Sequence, residues 1–288
     1  MTMVALAATA ALTVLPAAVA AQAIDGTEAA RPYSLPRSAT FALRSPAGET
    51  YEVMVAWPET PPSADGWPAL YVLDGESSFA IAALTARRLA RAGERSGIVD
   101  GLVVGIAAGP LARRVHDYTP PSPGYVIPAE QPASGLKTGG AEAFLDLLER
   151  QVMPCIRKRW RVDQRREALV GHSFGGLLGL QALITRPAMF DAVAAISPSL
   201  WFGNGMVERA IARAPDRPPH TRLLIAEGEA HASAKGRQTG SADAIERITV
   251  KWPTMEARFL HLPGQTHGTT FLASIAPVIR FAFGKSEQ

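Results

Sequence analysis

The chain has 288 residues, 47% of them hydrophobic and 19% charged, a globular composition. The 29 Lys and Arg against 26 Asp and Glu leave a net charge of +3, too slight an excess to argue for a nucleic-acid partner. Cys155 is the single cysteine, which excludes an intrachain disulfide.

Residues 3–20, MVALAATAALTVLPAAVA, are apolar and uncharged. Ala18-Val19-Ala20 and Ala21-Gln22-Ala23 both offer a small-residue cleavage pattern, so residues 1–23 are expected to be a secretory signal peptide. A basic leader is missing, but Pro16 and the small residues after it favour cleavage over a membrane span. The mature chain is then expected to start at Ala21 or Ile24 and to be periplasmic or secreted. No later segment is long and apolar enough to span a bilayer, and residues 24–288 are expected to form one domain.

Residues 39–45 and 50–57 alternate apolar and polar around Ala47-Gly48, which predicts an antiparallel hairpin. Pro68 to Leu73 is a continuous apolar run, expected of a strand buried on both faces, and Asp74-Gly75 ends it. A helix is expected over 77–92 and a second buried strand over Gly101 to Ile106. Residues 108–140 show little periodicity. A loop of that length after a strand's C-terminal end is expected to wall a ligand site rather than to be passive. Helix 141–159 follows, with Phe144, Leu147, Leu148 and Val152 on one face. Its terminal basic run, Arg157 to Arg161, is read as a solvated helix end, and Cys155 as an inert core residue. Strands at 167–170, 192–197, 223–226 and 258–261 alternate with helices at 177–184, 205–213, 241–252 and 269–282. This alternation predicts an α/β fold: a mostly parallel sheet covered by helices on both faces, with the hairpin adding antiparallel strands at one edge.

Gly171-His172-Ser173-Phe174-Gly175-Gly176 joins a predicted strand to a predicted helix. G-x-S-x-G in that context is a nucleophile turn, in which the serine oxygen is exposed at a helix N-terminus. The alternative is a serine in a Gly-rich loop. Of the six histidines, His267 lies between the last strand and the last helix, where such a fold keeps its base. His261 falls inside a strand pattern, His116 and His220 lie in loops, and His172, beside the nucleophile, is expected to point its side chain elsewhere. The orienting acid should follow strand 223–226, where Glu229 is the first choice and Glu227 the second; both can equally be solvated loop carboxylates. The oxyanion hole needs two backbone N–H groups. Phe174, after the nucleophile, supplies one, and Glu76, or else Gly75, after the third strand is the candidate for the other.

These pieces together resemble the putative-esterase family of α/β hydrolases, the esterase D-like group, and most closely its bacterial branch acting on enterobactin-type trilactones. The resemblance covers roughly residues 35–283. It is carried by Tyr71 to Gly75, Val104-Gly105-Ile106, Arg113 to Pro120 (RRVHDYTP), Gly171 to Gly176, Ser197-Pro198-Ser199-Leu200-Trp201 and His267-Gly268. It implies the α/β-hydrolase fold, a serine ester hydrolase acting through an acyl-enzyme, Ser173 as nucleophile and His267 as base. No metal or cofactor is implied; an iron-loaded siderophore would be substrate. It also implies an arginine contact to an acidic, catecholate-rich ester. Arg114 matches that place, with Trp201 as a further substrate-binding candidate; the other reading of Arg114 is a loop salt bridge to Asp117. Many relatives hold a carboxylate where this chain has His231, so a Ser–His dyad stays open beside a triad. General carboxylesterase, thioesterase, acyltransferase and a catalytically inert ligand-binding homologue are the alternatives.

Overall fold

The computed structural model describes residues 32–216, 218, 220–229 and 240–285. The expected signal segment and His231 lie outside the described residues. The chain divides into two units, Met1–Pro36 and Arg37–Gln288, and the architecture below is that of the second.

β1 (Ser38–Arg44) and β2 (Thr50–Ala56) form the expected antiparallel hairpin, with Arg44 opposite Thr50. Gly48 closes its turn at φ +89°, donating its N–H to Ser45 O at 2.9 Å. Tyr51, Val53 and Val55 are buried while Glu52 between them is exposed, the period of two that a half-covered strand requires.

The sheet order is β1-β2-β4-β3-β5-β6-β7-β8. β3 (Trp67–Leu73), β4 (Leu102–Ile106), β5 (Val162–His172), β6 (Ala192–Ile196), β7 (Arg222–Gly228) and β8 (Ala257–Leu262) run parallel, and β2 joins β4 antiparallel. The continuous apolar runs become central strands. Tyr71, Leu169, Val193 and Ile225 join one core with Leu177 and Leu178 of α5 (Phe174–Thr185), while the alternating Leu70, Val170 and Ala194 are buried on the opposite face. α1 (Gly75–Ala90) and α8 (Thr270–Phe283) pack on one another. This sheet is the expected one, hairpin edge included.

Four local expectations need correction. The segment 108–140 is not structureless: α2 (Leu111–Tyr118) lies within it. Its eight residues bury Val115, Asp117 and Tyr118, and Pro110 before it and Thr119-Pro120 after it cut the periodicity too short to read. Helix 141–159 is continuous but not uniform. A π turn, Leu148–Val152, joins α3 (Ala141–Leu147) to α4 (Met153–Arg159), just before Pro154, whose missing N–H breaks the ordinary ladder. At its end Arg157 is no solvated charge: its Nε lies 3.1 Å from Oε2 of the buried Glu167, which also accepts from Tyr71 Oη at 2.8 Å. Burial raises the Glu167 pKa, opposed by these two donors. Cys155 is half-buried beside Arg159, not in the core.

α6 (Met206–Arg213) and α7 (Ser241–Lys251) complete the helices among the described residues. The C-terminal ends of β3, β5, β6 and β7 share one edge of the sheet, and every expected site residue lies on or near that edge.

Candidate active site

Ser173 follows β5 directly and precedes α5, with φ 59° and ψ −116°. Few L-residues occupy that region, and its cost is met by the packing around it. The turn is so tight that a Cβ on Gly171 would lie 2.3 Å from Gly175 O. Only glycine fits there. A Cβ on Gly175 itself would make ordinary contacts, the nearest 3.4 Å from Leu73, so the space there does not require glycine. Ser173 N donates to Ile196 O at 2.9 Å, tying the turn to the end of β6. Phe174 is the first residue of α5, where an amide has no acceptor within the helix. It is therefore placed to serve an oxyanion.

A cavity of about 460 Å³ opens over the serine. Ser173, Phe174, Arg114, Trp201, Glu227, Glu229 and His267 all line it, so most of the expected site is brought together in one place. Gln131, Pro132 and Ala133 form another part of its wall, which is the role expected of the segment 108–140. Aromatic surface dominates one side: Phe174 and Trp201 meet edge to face, ring centres 5.6 Å apart.

His267 is held from its backbone. His267 O accepts from His172 Nε2 at 2.7 Å and from Thr270 Oγ1 at 3.1 Å, and Thr270 Oγ1 in turn accepts from Ser197 Oγ at 2.9 Å. His172 is not part of the cavity lining and turns to the loop of His267 instead. Its ring lies 4.6 Å from that of His267, centre to centre. Burial, and next the neighbouring His267, push its pKa down to about 4, so near neutral pH it is an uncharged donor.

Arg114 reaches the cavity from α2. Its Nε and Nη2 grip Asp74 Oδ1 and Oδ2 at 2.6 and 2.8 Å, and Nη2 also donates to His172 O at 3.1 Å. The ion pair is therefore with Asp74 and not with Asp117, which accepts instead from Tyr51 Oη at 2.7 Å and meets His116 Nδ1 at 3.0 Å. Asp74, at φ 54°, ends β3, so the arginine braces two strand ends against one another.

The acid position differs. Glu227 Oε2 accepts the Ser241 N–H at 3.0 Å, capping the start of α7. Glu229 is exposed, and its own N–H donates to Gln265 O at 2.8 Å. The two loops touch so closely that a Cβ on Gly228 would lie 2.2 Å from Gln265 O.

Glu76 is set apart from this cavity, as is Gly75. Its carboxylate accepts the N–H groups of Ala108 and Gly109, each at 3.0 Å, and it lines a neighbouring hollow with Phe41 and Arg113. The first turn of α1 leans on β4: a Cβ on Gly75 would sit 2.8 Å from Ile106 N. Sequence reasoning also passed over Ser199, whose Oγ lies 3.1 Å from Ser173 Oγ. The Ser-Pro-Ser-Leu-Trp piece flagged that segment but gave it no role. Among the described residues no group of His, Cys, Asp and Glu side chains could hold a metal ion.

Comparison with known proteins gives a consistent result. The family described as Putative esterase matches residues 45–250. The chain is 30% identical over 247 residues to the ferri-bacillibactin esterase BesA of Bacillus subtilis (strain 168), covering 81% of this chain and 84% of that protein. It is 30% identical over 233 residues to an apo-salmochelin esterase of Escherichia coli O6:H1, covering 78% and 72%. Among solved structures, the siderophore hydrolase EstA from Aspergillus nidulans matches with a TM-score of 0.75 at 24% identity, covering 88% of this chain and 97% of that one. The enterobactin hydrolase IroE, in complex with DFP, matches with a TM-score of 0.67 at 26% identity, covering 86% and 95%.

Proposed function

This chain belongs to the putative esterase family, and from that premise we propose that it is a serine esterase whose substrate is a siderophore-type ester, a trilactone or its linear fragment. The observation that carries the reading is the shared cavity of Ser173 and His267 at the sheet edge, walled by Phe174, Trp201 and Arg114. The curated relatives are named for esters of the same class.

Ser173 Oγ attacks the ester carbonyl as His267 takes its proton, and the Phe174 N–H holds the oxyanion. The leaving alkoxide takes the proton back from His267. Water then repeats the sequence on the acyl-enzyme. Glu229, at the cavity wall, is the carboxylate to test as a third member.

The walls suit an anionic aromatic acyl group. The Arg114 guanidinium lies 6.0 Å from the centre of the Phe174 ring and 5.3 Å from that of Tyr118. Its Nε and Nη2 are engaged by protein, which among the described residues leaves Nη1 for a ligand oxygen. Opening a trilactone separates arms that had been held together around iron, so each rebinds at lower effective concentration. Iron acquisition is the role this chemistry serves, and the iron-loaded siderophore is substrate. The apolar stretch 3–20 supports export to the periplasm or medium. The protein purified from its own source is then expected to begin at Ala21 or Ile24, and an intact Met1 would overturn the export reading.

An ester panel tests the substrate class. Catecholate trilactones, iron-free and iron-loaded, are compared with nitrophenyl esters and acyl-thioesters by kcat/KM. The trilactones are expected to lead by about 10² or more, the scale of a few well-placed contacts in the transition state. A lead by nitrophenyl esters or thioesters would refute the siderophore reading while leaving the esterase in place.

A further inference from the structure

Ser199 is a buried hydroxyl, 2% exposed, lying directly on the proposed nucleophile. Its Oγ is 3.1 Å from Ser173 Oγ, and its N–H donates to Ser173 O, also at 3.1 Å. The two serines are thus joined through side chain and backbone at once. The segment that carries Ser199 has little freedom to move. Ser197, at φ 40°, donates its N–H to Ala226 O at 2.7 Å, and Phe202 N donates to Ser199 O at 3.1 Å. A Cβ on Gly176, in the first turn of α5, would lie 3.1 Å from Pro198 Cα, so this segment and the nucleophile turn are packed backbone to backbone.

We propose that Ser199 is a further catalytic residue, whose hydroxyl donates to Ser173 Oγ while that oxygen attacks and again while it leaves. The inference rests on Ser173 being the nucleophile. Ser173 has one proton, and in the reaction it goes to His267. As it does, Ser173 Oγ gains negative charge and needs a second donor, which Ser199 supplies without moving. In acylation the Ser173 Oγ–carbonyl bond forms, the carbonyl electron pair moves to its oxygen, and the alcohol leaves with the proton from His267. In deacylation water adds to the same carbon and gives its proton to His267. The bond from carbon to Ser173 Oγ then breaks and the proton returns to Ser173. Charge builds on Ser173 Oγ in both halves, so one hydrogen bond assists both. A serine that merely filled space would affect neither.

The experiment compares wild type, Ser173→Ala, Ser199→Ala and Ser199→Thr. It reads the second-order rate of modification by a fluorophosphonate, single-turnover deacylation of a nitrophenyl ester, steady-state kcat and KM, and the melting temperature. Ser199→Ala is expected to slow modification and deacylation each by about tenfold, the worth of one hydrogen bond, with KM changed by less than about twofold and melting unchanged. Ser199→Thr, which keeps the hydroxyl, is expected to recover most of the loss. Wild-type rates in Ser199→Ala would overturn the proposal, whatever the threonine variant does. So would a slowing that comes with a fall in melting temperature and is not restored by threonine. Modification that persists in Ser173→Ala would instead overturn the nucleophile assignment beneath it.

Discussion

The ends of β5 and β7 sit on the same sheet edge yet are built to different standards. At β5 Ser173, the proposed nucleophile, is fixed by a tight glycine turn, by Ile196 O, by the Arg114–Asp74 brace and by Ser199. At β7 Glu227 caps α7, and Glu229 is exposed at the wall of the cavity that His267 also lines. What the second end contributes firmly is backbone, since Gly228 and Glu229 pack on the loop that carries His267. The contrast teaches that His267, the proposed base, is secured through its own carbonyl, held by His172 and Thr270.

The largest effects are expected at the first end. Ser173→Ala should lower esterase kcat by about 10⁴-fold or more, His267→Ala should match it, and the double variant should be no worse than either, because the pair acts as a unit. Retention of a tenth of the wild-type rate in Ser173→Ala would put the nucleophile elsewhere. Arg114→Ala should slow every ester, because the brace on Asp74 and His172 O is lost with it. It should cost a catecholate ester a further 1–3 kcal/mol or so in transition-state binding, the scale of a charge-assisted hydrogen bond. Equal losses on catecholate and small neutral esters would confine Arg114 to bracing.

Much of this contrast was legible in the residues. G-x-S-x-G between a strand and a helix led to the tight turn at Ser173, and the place of His267 after the last strand led to a residue that lines the same cavity. The run Tyr71 to Leu73 and the alternation at 50–57 gave buried and half-covered strands, because burial on both faces or one leaves different periods. The hollow that Glu76 lines was not legible, because the tilt of α1 against β4 is set by packing of Gly75 that no local pattern reveals. His172 and Ser199 were hidden for the same reason. Each acts through a partner 95 or 26 residues away in the chain. Arg157 was misjudged because its partner Glu167 lies in a run that reads as strand, where a carboxylate is not expected to be buried.

Two smaller effects sharpen the comparison. The His172 pKa, held down to about 4 by burial, is below the ordinary value of 6.5. The unfolded chain therefore takes up this proton first as pH falls. The stability that His172 contributes is present above about pH 6.5 and is lost as pH drops toward 4. His172→Gln is expected to flatten that part of the melting-temperature profile while keeping a donor for His267 O; an unchanged profile would mean that His172 carries no such linkage. Smallest of all should be Glu229→Gln, with a loss under about tenfold, since an exposed carboxylate couples weakly to a neighbouring charge. A loss of roughly 10²–10⁴-fold would make Glu229 the orienting acid of a full triad and erase the contrast between the two strand ends.

Peptide mapping after treatment with a fluorophosphonate reads which atom reacts. The expected result is one adduct per chain, on Ser173, formed at least about 10²-fold more slowly in His267→Ala, where the proton has no acceptor. An adduct on another residue, or labelling of Ser173 at an unchanged rate without His267, would contradict it.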